Sequence, residues 1–239
     1  MSGDCFKIEH VKRRVFRTSF MKNVAYAMIL ADASPNEDRL RSYSECLHND
    51  GYEILEYSDY AKGMIVARKS GMLVICSREM FVLNVHVSEY KNYEHFKAVV
   101  LAYFKQYSEV VQTSKISNLH ILKTNEFKLD RSKPDMESVT QEQFEQVVCS
   151  ESFIKHADEN GQIQFEDKDD GISRYAKSSI TEGEKRFTLE LVIAAFENKA
   201  YELEQVGSRL DLLNDAAYDM WNAVLSDTIK KSMKGNEGK

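Results

Sequence analysis

The chain has little of what most nucleotide and metal enzymes are built from. Only ten of its 239 residues are glycine and two are proline. No glycine-rich loop leads a strand into a helix, so neither a dinucleotide fold nor a P-loop is indicated. Six histidines form no HExxH and no pair four residues apart, which removes the usual zinc-binding helix. No serine or cysteine stands in a nucleophile-elbow context. The four cysteines, Cys5, Cys46, Cys76 and Cys149, lie far apart without a CxxC spacing. They read as reduced, packed thiols, and with no leader-like opening the expected compartment is cytoplasmic. No window approaches 18 consecutive apolar residues, so no membrane helix is expected. A basic excess is missing too. The net charge is -6, whereas direct adhesion to nucleic acid or anionic lipid needs a positive surface that displaces counterions. The one dense basic cluster, Lys12, Arg13, Arg14 and Arg17, reads as a solvated lead-in to a strand, with a phosphate or partner contact as the other reading.

What is present is hydrophobic patterning. Phe81, Leu83, Val85 and Val87 alternate with Val82, Asn84, His86 and Ser88, and Phe187, Leu189, Leu191 and Ile193 alternate in the same way with Thr188, Glu190, Val192 and Ala194. Period two over seven or more residues predicts a strand with one buried face. Each strand then leads into a helix with apolar residues three and four apart. The first carries Tyr93, Phe96, Val100, Tyr103 and Tyr107; the second carries Leu203, Val206, Leu210, Leu213, Ala217, Met220 and Val224. Such stripes bury one side of a helix. The echo predicts an α+β protein of two related units, each an antiparallel β-sheet covered by a long α-helix.

The rest of the chain fills in around these units. Residues 15–31 predict one long strand or a strand pair, and Ser34-Pro35 followed by Glu37 and Asp38 predicts a helix start. That helix runs to residue 49, where Asn49-Asp50-Gly51 signals its end. Strands are expected at 52–57, 63–69, 72–77 and 80–87, a helix at 92–111, and a returning strand at 116–129 that buries Leu119, Ile121 and Leu122. The stretch Arg131-Ser132-Lys133-Pro134-Asp135 is the best boundary, giving units 1–130 and 131–239, with one continuous domain as the other possibility. Thr140 and Gln143 fit a capping box. Residues 157–171 crowd acidic side chains between glycines and predict an exposed loop. A hairpin at 172–196 and one helix from 200 to about 231 complete the order.

Three functional readings compete. The acidic loop could offer Asp167, Asp169 and Asp170 to a divalent cation, but the spacing misses the EF-hand pattern, and a solvated turn is the preferred reading. A metal-dependent hydrolase or nuclease would use Asp170, Glu197 and Lys199, the last two as a Glu-x-Lys after a strand; Glu126-Phe127-Lys128 is a second such triplet. A small-ligand sensor would hold a pocket between sheet and helix lined by tyrosines and His86. The preferred reading is a non-catalytic protein-binding or scaffold subunit, needing no cofactor and no metal. It would bind another protein or itself through the C-terminal helix. Trp221, Leu225 and Ile229 widen the apolar area of that helix, and Tyr93 and Tyr103 suit a wet interface.

The run FVLNVHVSEYKNYEHFKAVVLAYF, the returning strand ending in Asn125, and the closing LLNDAAYDMWNAVLSDTIKKSMKG with its Ser226-Asp227 pair resemble a sporadically distributed family of uncharacterised bacterial proteins. The chain departs from that pattern where Ile121-Leu122-Lys123-Thr124-Asn125 keeps only the asparagine of a Leu-Arg-Tyr-Ile-Asn run, and where Asn214 replaces a histidine. The resemblance implies a horizontally mobile locus, including antiviral-defence operons, with this chain as an accessory component.

Overall fold

The computed structural model describes residues 21–33, 36–56, 58–134, 136–166 and 171–234. The basic cluster at residues 12–17, the Ser34-Pro35 helix start and the loop carboxylates Asp167, Asp169 and Asp170 lie outside them. The elements are β1 (Met21–Leu30), α1 (Glu37–Asn49), β2 (Glu53–Ile54), β3 (Ile65–Lys69), β4 (Met72–Cys76), β5 (Met80–His86), α2 (Tyr93–Val111) and β6 (Lys115–Asp130). After them come α3 (Gln141–Val148), α4 (Glu151–His156), β7 (Gln162–Glu166), β8 (Ile172–Gly183), β9 (Arg186–Glu197), β10 (Tyr201–Glu202), α5 (Val206–Val224) and α6 (Asp227–Lys234).

The class is α+β, with six α-helices and one large antiparallel sheet among the described residues. Nine strands follow the order β2-β3-β4-β5-β1-β6-β9-β8-β7, and a tenth, β10, pairs with β6 off that path. The long strand β6 joins the halves. It pairs with β1 from Ile116 to Asn125 and with β9 from Leu119 to Asp130. The expectation of two separate sheets is therefore corrected: the sheet passes unbroken from the strands before residue 131 to those after it. Periodicity reports which face of a strand is buried, and says nothing about which strand lies beside it.

The helices pack on one face. Tyr26 of β1 stacks on Phe96 of α2 with ring centroids 5.1 Å apart, and Phe81 of β5 meets Phe104 and Tyr107. Tyr43 of α1 packs on Tyr107, and Phe144 of α3 stacks on Phe187 of β9. The α5 stripe of Val206, Leu210, Leu213, Ala217, Met220 and Val224 is buried along its length, so this heptad-like seam is spent within the chain. A Cβ at Gly207 would stand 3.6 Å from Leu101, an ordinary contact, so the first turn of α5 lies beside α2 without crowding.

Local signals act as written in several places. Thr140 and Gln143 form the reciprocal capping box of α3, and the Asn92 side chain accepts from the His95 N–H to start α2. Gly51, at φ +88, ends α1. Its N–H donates to His48 and that of Tyr52 to Leu47, the paired bonds of a Schellman ending. Other expectations are corrected. The α1 cap is Asn36, whose side chain accepts from Asp38 N–H. The strand at 52–57 shrinks to two residues. Within the acidic segment 157–171, Gln162–Glu166 forms strand β7 on β8.

The single closing helix is broken twice. Tyr201–Glu202 first pairs with β6 as a continuation of β9. Later, Leu225 leaves α5 in extended conformation and bridges Cys149. The Ser150 N–H donates to Val224 O at 2.6 Å and the Ser226 N–H to Val148 O at 2.9 Å. Ser226 Oγ donates to Val147 O at 2.5 Å and accepts from Ile229 N–H. Ser226 therefore clips the end of α3 to the start of α6, satisfying backbone groups at both helix ends.

Candidate functional site

The sequence-singled residues do not converge. Leu225 and Ile229 are fully buried, which corrects their expected part in an outward surface: the bend at Leu225 turns both into the core beneath α3. Trp221 is half-buried and stacks on Tyr218, which is 55% exposed. Tyr103 packs edge-on against Tyr52, and Tyr93 donates to Asp211 Oδ1 at 2.8 Å. Glu197 is 1% exposed, and both its oxygens accept from Arg209, which also lies over the Tyr201 ring. Lys199 sits 5.8 Å from that ring. A carboxylate held by a guanidinium in this way is neutralised and is not open to a metal. Among the described residues no three His, Cys, Asp or Glu side chains gather in a metal-holding group, and no helix is long and apolar enough to cross a membrane.

His86 is also placed away from its expected role. It is exposed, on the side of β5 opposite Phe81, Leu83 and Val85, with Nδ1 3.0 Å from Ser88 Oγ. It therefore cannot line a pocket between sheet and helix. A groove of about 360 Å³ does exist, but between α1 and α2, where Arg39, Tyr43, Cys46, Gln106 and Val110 line it.

A polar seam runs beneath the junction of α2 and α5. Lys97 donates to both oxygens of Asp211 at 2.7 Å, beside the Tyr93 bond. Farther along, Lys123 projects from the helix side of β6 and donates to Asn214 Oδ1 of α5 at 2.8 Å. Burial pushes its amine down to about 8, against a small opposing pull from Asp215. Two residues on, the buried Asn125 leaves Nδ2 without a partner. Lys123, Asn125 and Asn214 thus lie on one side of the sheet.

The other face of the sheet is the candidate site. Register places its side chains in cross-strand rows. One row runs Ile75, Val82, Ala27, His120, Phe196, and the next Leu73, Asn84, Ala25, Leu122, Ala194, Tyr175. Met80 and Ile29 extend it at one end and Val192 at the other. Among the described residues no helix lies over these rows. Most of these side chains are half-buried, Thr124 and Ser173 on the same face are buried, and Leu122 is 38% exposed. His120 stacks on Phe196 at 5.4 Å, and burial lowers its pKa. Leu122 was expected inside; the strict alternation of β6 puts it on the opposite side from Ile121. Toward one end of the face Lys22, Glu126, Lys128 and Glu190 are paired with one another. Lys22 reaches Glu190 at 3.0 Å and Glu126 at 3.7 Å, and Lys128 pairs with Glu126. A solvated antiparallel sheet normally carries polar residues outward. Here the outward rows are largely aliphatic and aromatic, which marks an interaction surface.

No family model and no curated protein matches the chain. A solved structure described as "KH domains" aligns with 87% of this chain at 9% identity and a TM-score of 0.21, and the alignment covers 64% of that protein, less than two thirds of its length. The ligand-binding domain of the Pseudomonas aeruginosa PAO1 amino acid chemoreceptor PctC, in complex with GABA, aligns over 71% of this chain and 73% of its own at 12% identity and a TM-score of 0.14. Similarities of this size carry no statement about the fold or the activity of this chain.

Proposed function

We propose that the chain is a non-catalytic protein-binding or scaffold subunit of a bacterial complex, working in the cytoplasm, and that it binds through the uncovered face of its sheet. The observation that carries this reading is the pair of apolar rows centred on Ala25, Ala27 and Leu122, over which no helix lies among the described residues. The expected contact through the C-terminal helix loses its main support, because the stripe of that helix, Leu225 and Ile229 are consumed inside the chain. The resemblance supplies the wider setting, an accessory role in an antiviral-defence locus. The echo between β5–α2 and β9–α5 supports kinship of the two halves, since each strand feeds a helix laid on the same side. The hydrolase reading is weakened by the Arg209 grip on Glu197. The test compares tagged chain with its Leu122→Asp variant in quantitative co-purification from native lysate. A partner recovered by the parent and lost by the folded variant is the expected result. Equal recovery by both, or none by either, overturns the reading.

A further inference from the structure

We infer that the polar niche beneath α5, formed by Lys123 and Asn125 of β6 and Asn214 of α5, binds the carboxylate group of a small molecule. The inference is independent of the open face, since these residues lie on the helix side of the sheet. The first reason is how the chain treats its other half-buried cations. Lys97, Arg209 and Arg131, packed in or beside the helix layer, meet Asp211, Glu197 and Glu182 respectively. Lys123 is half-buried too, yet it donates to the neutral Asn214 Oδ1, and among the described residues no carboxylate comes within ion-pair distance of it. Asp215, exposed at the next position of α5, pulls on the amine only weakly, and burial outweighs it. A cation withdrawn from water needs an opposite charge or must shed its proton.

The second reason is an unused donor beside that cation. Asn125 is 5% exposed, and its Nδ2 has no hydrogen-bond partner. The strand fixes where it stands. Lys123 lies opposite Ile193 and Asn125 opposite Leu191, both fully buried on β9. The two side chains therefore rise on one face, as alternate residues whose Cα atoms are about 7 Å apart, close enough for both to reach a group held between them.

The third reason is the balance of donors and charge. An ammonium offers three N–H donors and an asparagine amide two, while Asn214 Oδ1 accepts one of them. The niche is rich in donors, poor in acceptors and carries one positive charge. A planar carboxylate brings acceptor oxygens and one negative charge together. A water would serve the amide and leave the charge unmatched. A phosphate monoester, with close to two charges at neutral pH, would leave one unbalanced beside Asp215. Because Lys123 is half-buried and not sealed, a small acid reaches it from solvent.

The test follows the Lys123 side-chain carbon next to the amine by NMR through a pH titration of the full chain, in formate, acetate, chloride and phosphate at equal ionic strength. Without a ligand, burial places the amine near 8. The titratable groups on its side are Asp215 of α5 and, farther along the seam, Asp211 with Lys97 and Tyr93, while β1 and β9 set Val24 and Ile193 beside it. Formate and acetate are expected to raise the titration midpoint by about one pH unit, a roughly tenfold preference of the carboxylate for the protonated amine; chloride and phosphate are expected to leave it in place. Asn125→Leu should weaken formate binding roughly 10-fold. Lys123→Met should abolish the protection that formate gives against urea, whereas Lys62→Met, at an 83% exposed side chain, retains it. A midpoint that moves in none of the four salts, or equally in all, overturns the inference, as does an unchanged formate response in Asn125→Leu. A midpoint that falls by about one pH unit or more in Asp215→Asn overturns it too, because Asp215 would then be the counter-ion.

Discussion

The same strands build two unlike surfaces. On the helix side of β1, Val24, Tyr26, Met28 and Leu30 are closed off beneath aromatic rings; on the other side, Ala25, Ala27 and Ile29 meet no covering element among the described residues. The two rows differ in size before they differ in cover. Large rings on one side demand a second layer to fill the space around them, whereas alanine and β-branched residues on the other leave a flat sheet that a partner can approach closely. The lesson is that alternation alone separates two faces without naming one of them polar. Burial is decided by what the outward residues are, and here they are apolar on both sides over the central strands.

The largest expected effect comes from matched truncations on neighbouring positions of β6. Leu119 is fully buried beneath the helices, and Leu122 is 38% exposed on the open face. Leu119→Ala removes packed volume from a site that relaxes little, so it should destabilise the fold by about 2–5 kcal/mol. Leu122→Ala, measured by urea unfolding at concentrations below any association, should cost about 0.5 kcal/mol or less. Equal costs would break the comparison by showing that the second face is covered within the chain.

The next effect concerns a cation driven into the helix side. The Lys123 amine sits near 8 when folded, against about 10.4 in an unfolded chain. Between these values the unfolded state binds the extra proton, so stability contributed by this site rises with pH through the window and is lowest below pH 8. The gap corresponds to roughly 3 kcal/mol. Buried tyrosines act in the opposite sense at high pH. Burial raises the pKa values of Tyr26, Tyr43 and Tyr107, so their protonated forms lose their advantage as the unfolded phenols ionise near 10. The difference between the chain and Lys123→Met isolates the lysine. The variant is expected to be more stable at pH 7, with the gain shrinking between pH 8 and 10. A pH-independent difference would show that Lys123 is fully solvated, and the helix side less sealed than described.

How far the sequence displays this arrangement varies with the range of the interactions involved. The β8–β9 hairpin, the α3 capping box and the Asn92 cap are legible because each is settled within a few residues. Strand β7 is hidden because Gln162–Glu166 alternates inside a segment dominated by acids. The α5–α6 break is hidden because it depends on Val147, Val148 and Ser150, more than 70 positions upstream. Leu119, Ile121 and Leu122 look alike as a run, and only pairing with β1 and β9 sends Leu122 outward. The candidate surface was missed for the same reason. Its rows are assembled from six strands, and each contributes only one or two small apolar residues on the side that local reading assigns to solvent.

The smallest expected effect tests how the cover on the helix side is fastened. Ser226→Ala removes a donor to the Val147 carbonyl and an acceptor for the Ile229 N–H. Each is a terminal backbone group of a helix and has no partner within its own helix to replace the serine. Loss of a helix cap of this kind costs about 1 kcal/mol, and the partly buried carbonyl adds to that rather than offsetting it. Because Leu225 is fully buried and bridges Cys149, the bend should survive, and α6 should loosen as a unit. Hydrogen exchange is therefore expected to quicken for the α6 amides and at the α3–α4 junction, while the amides of β1 and β6 keep their protection. Faster exchange in β1 as well would mean that fastening one end of the helix layer controls the sheet beneath it, and the two faces would then be coupled rather than independent.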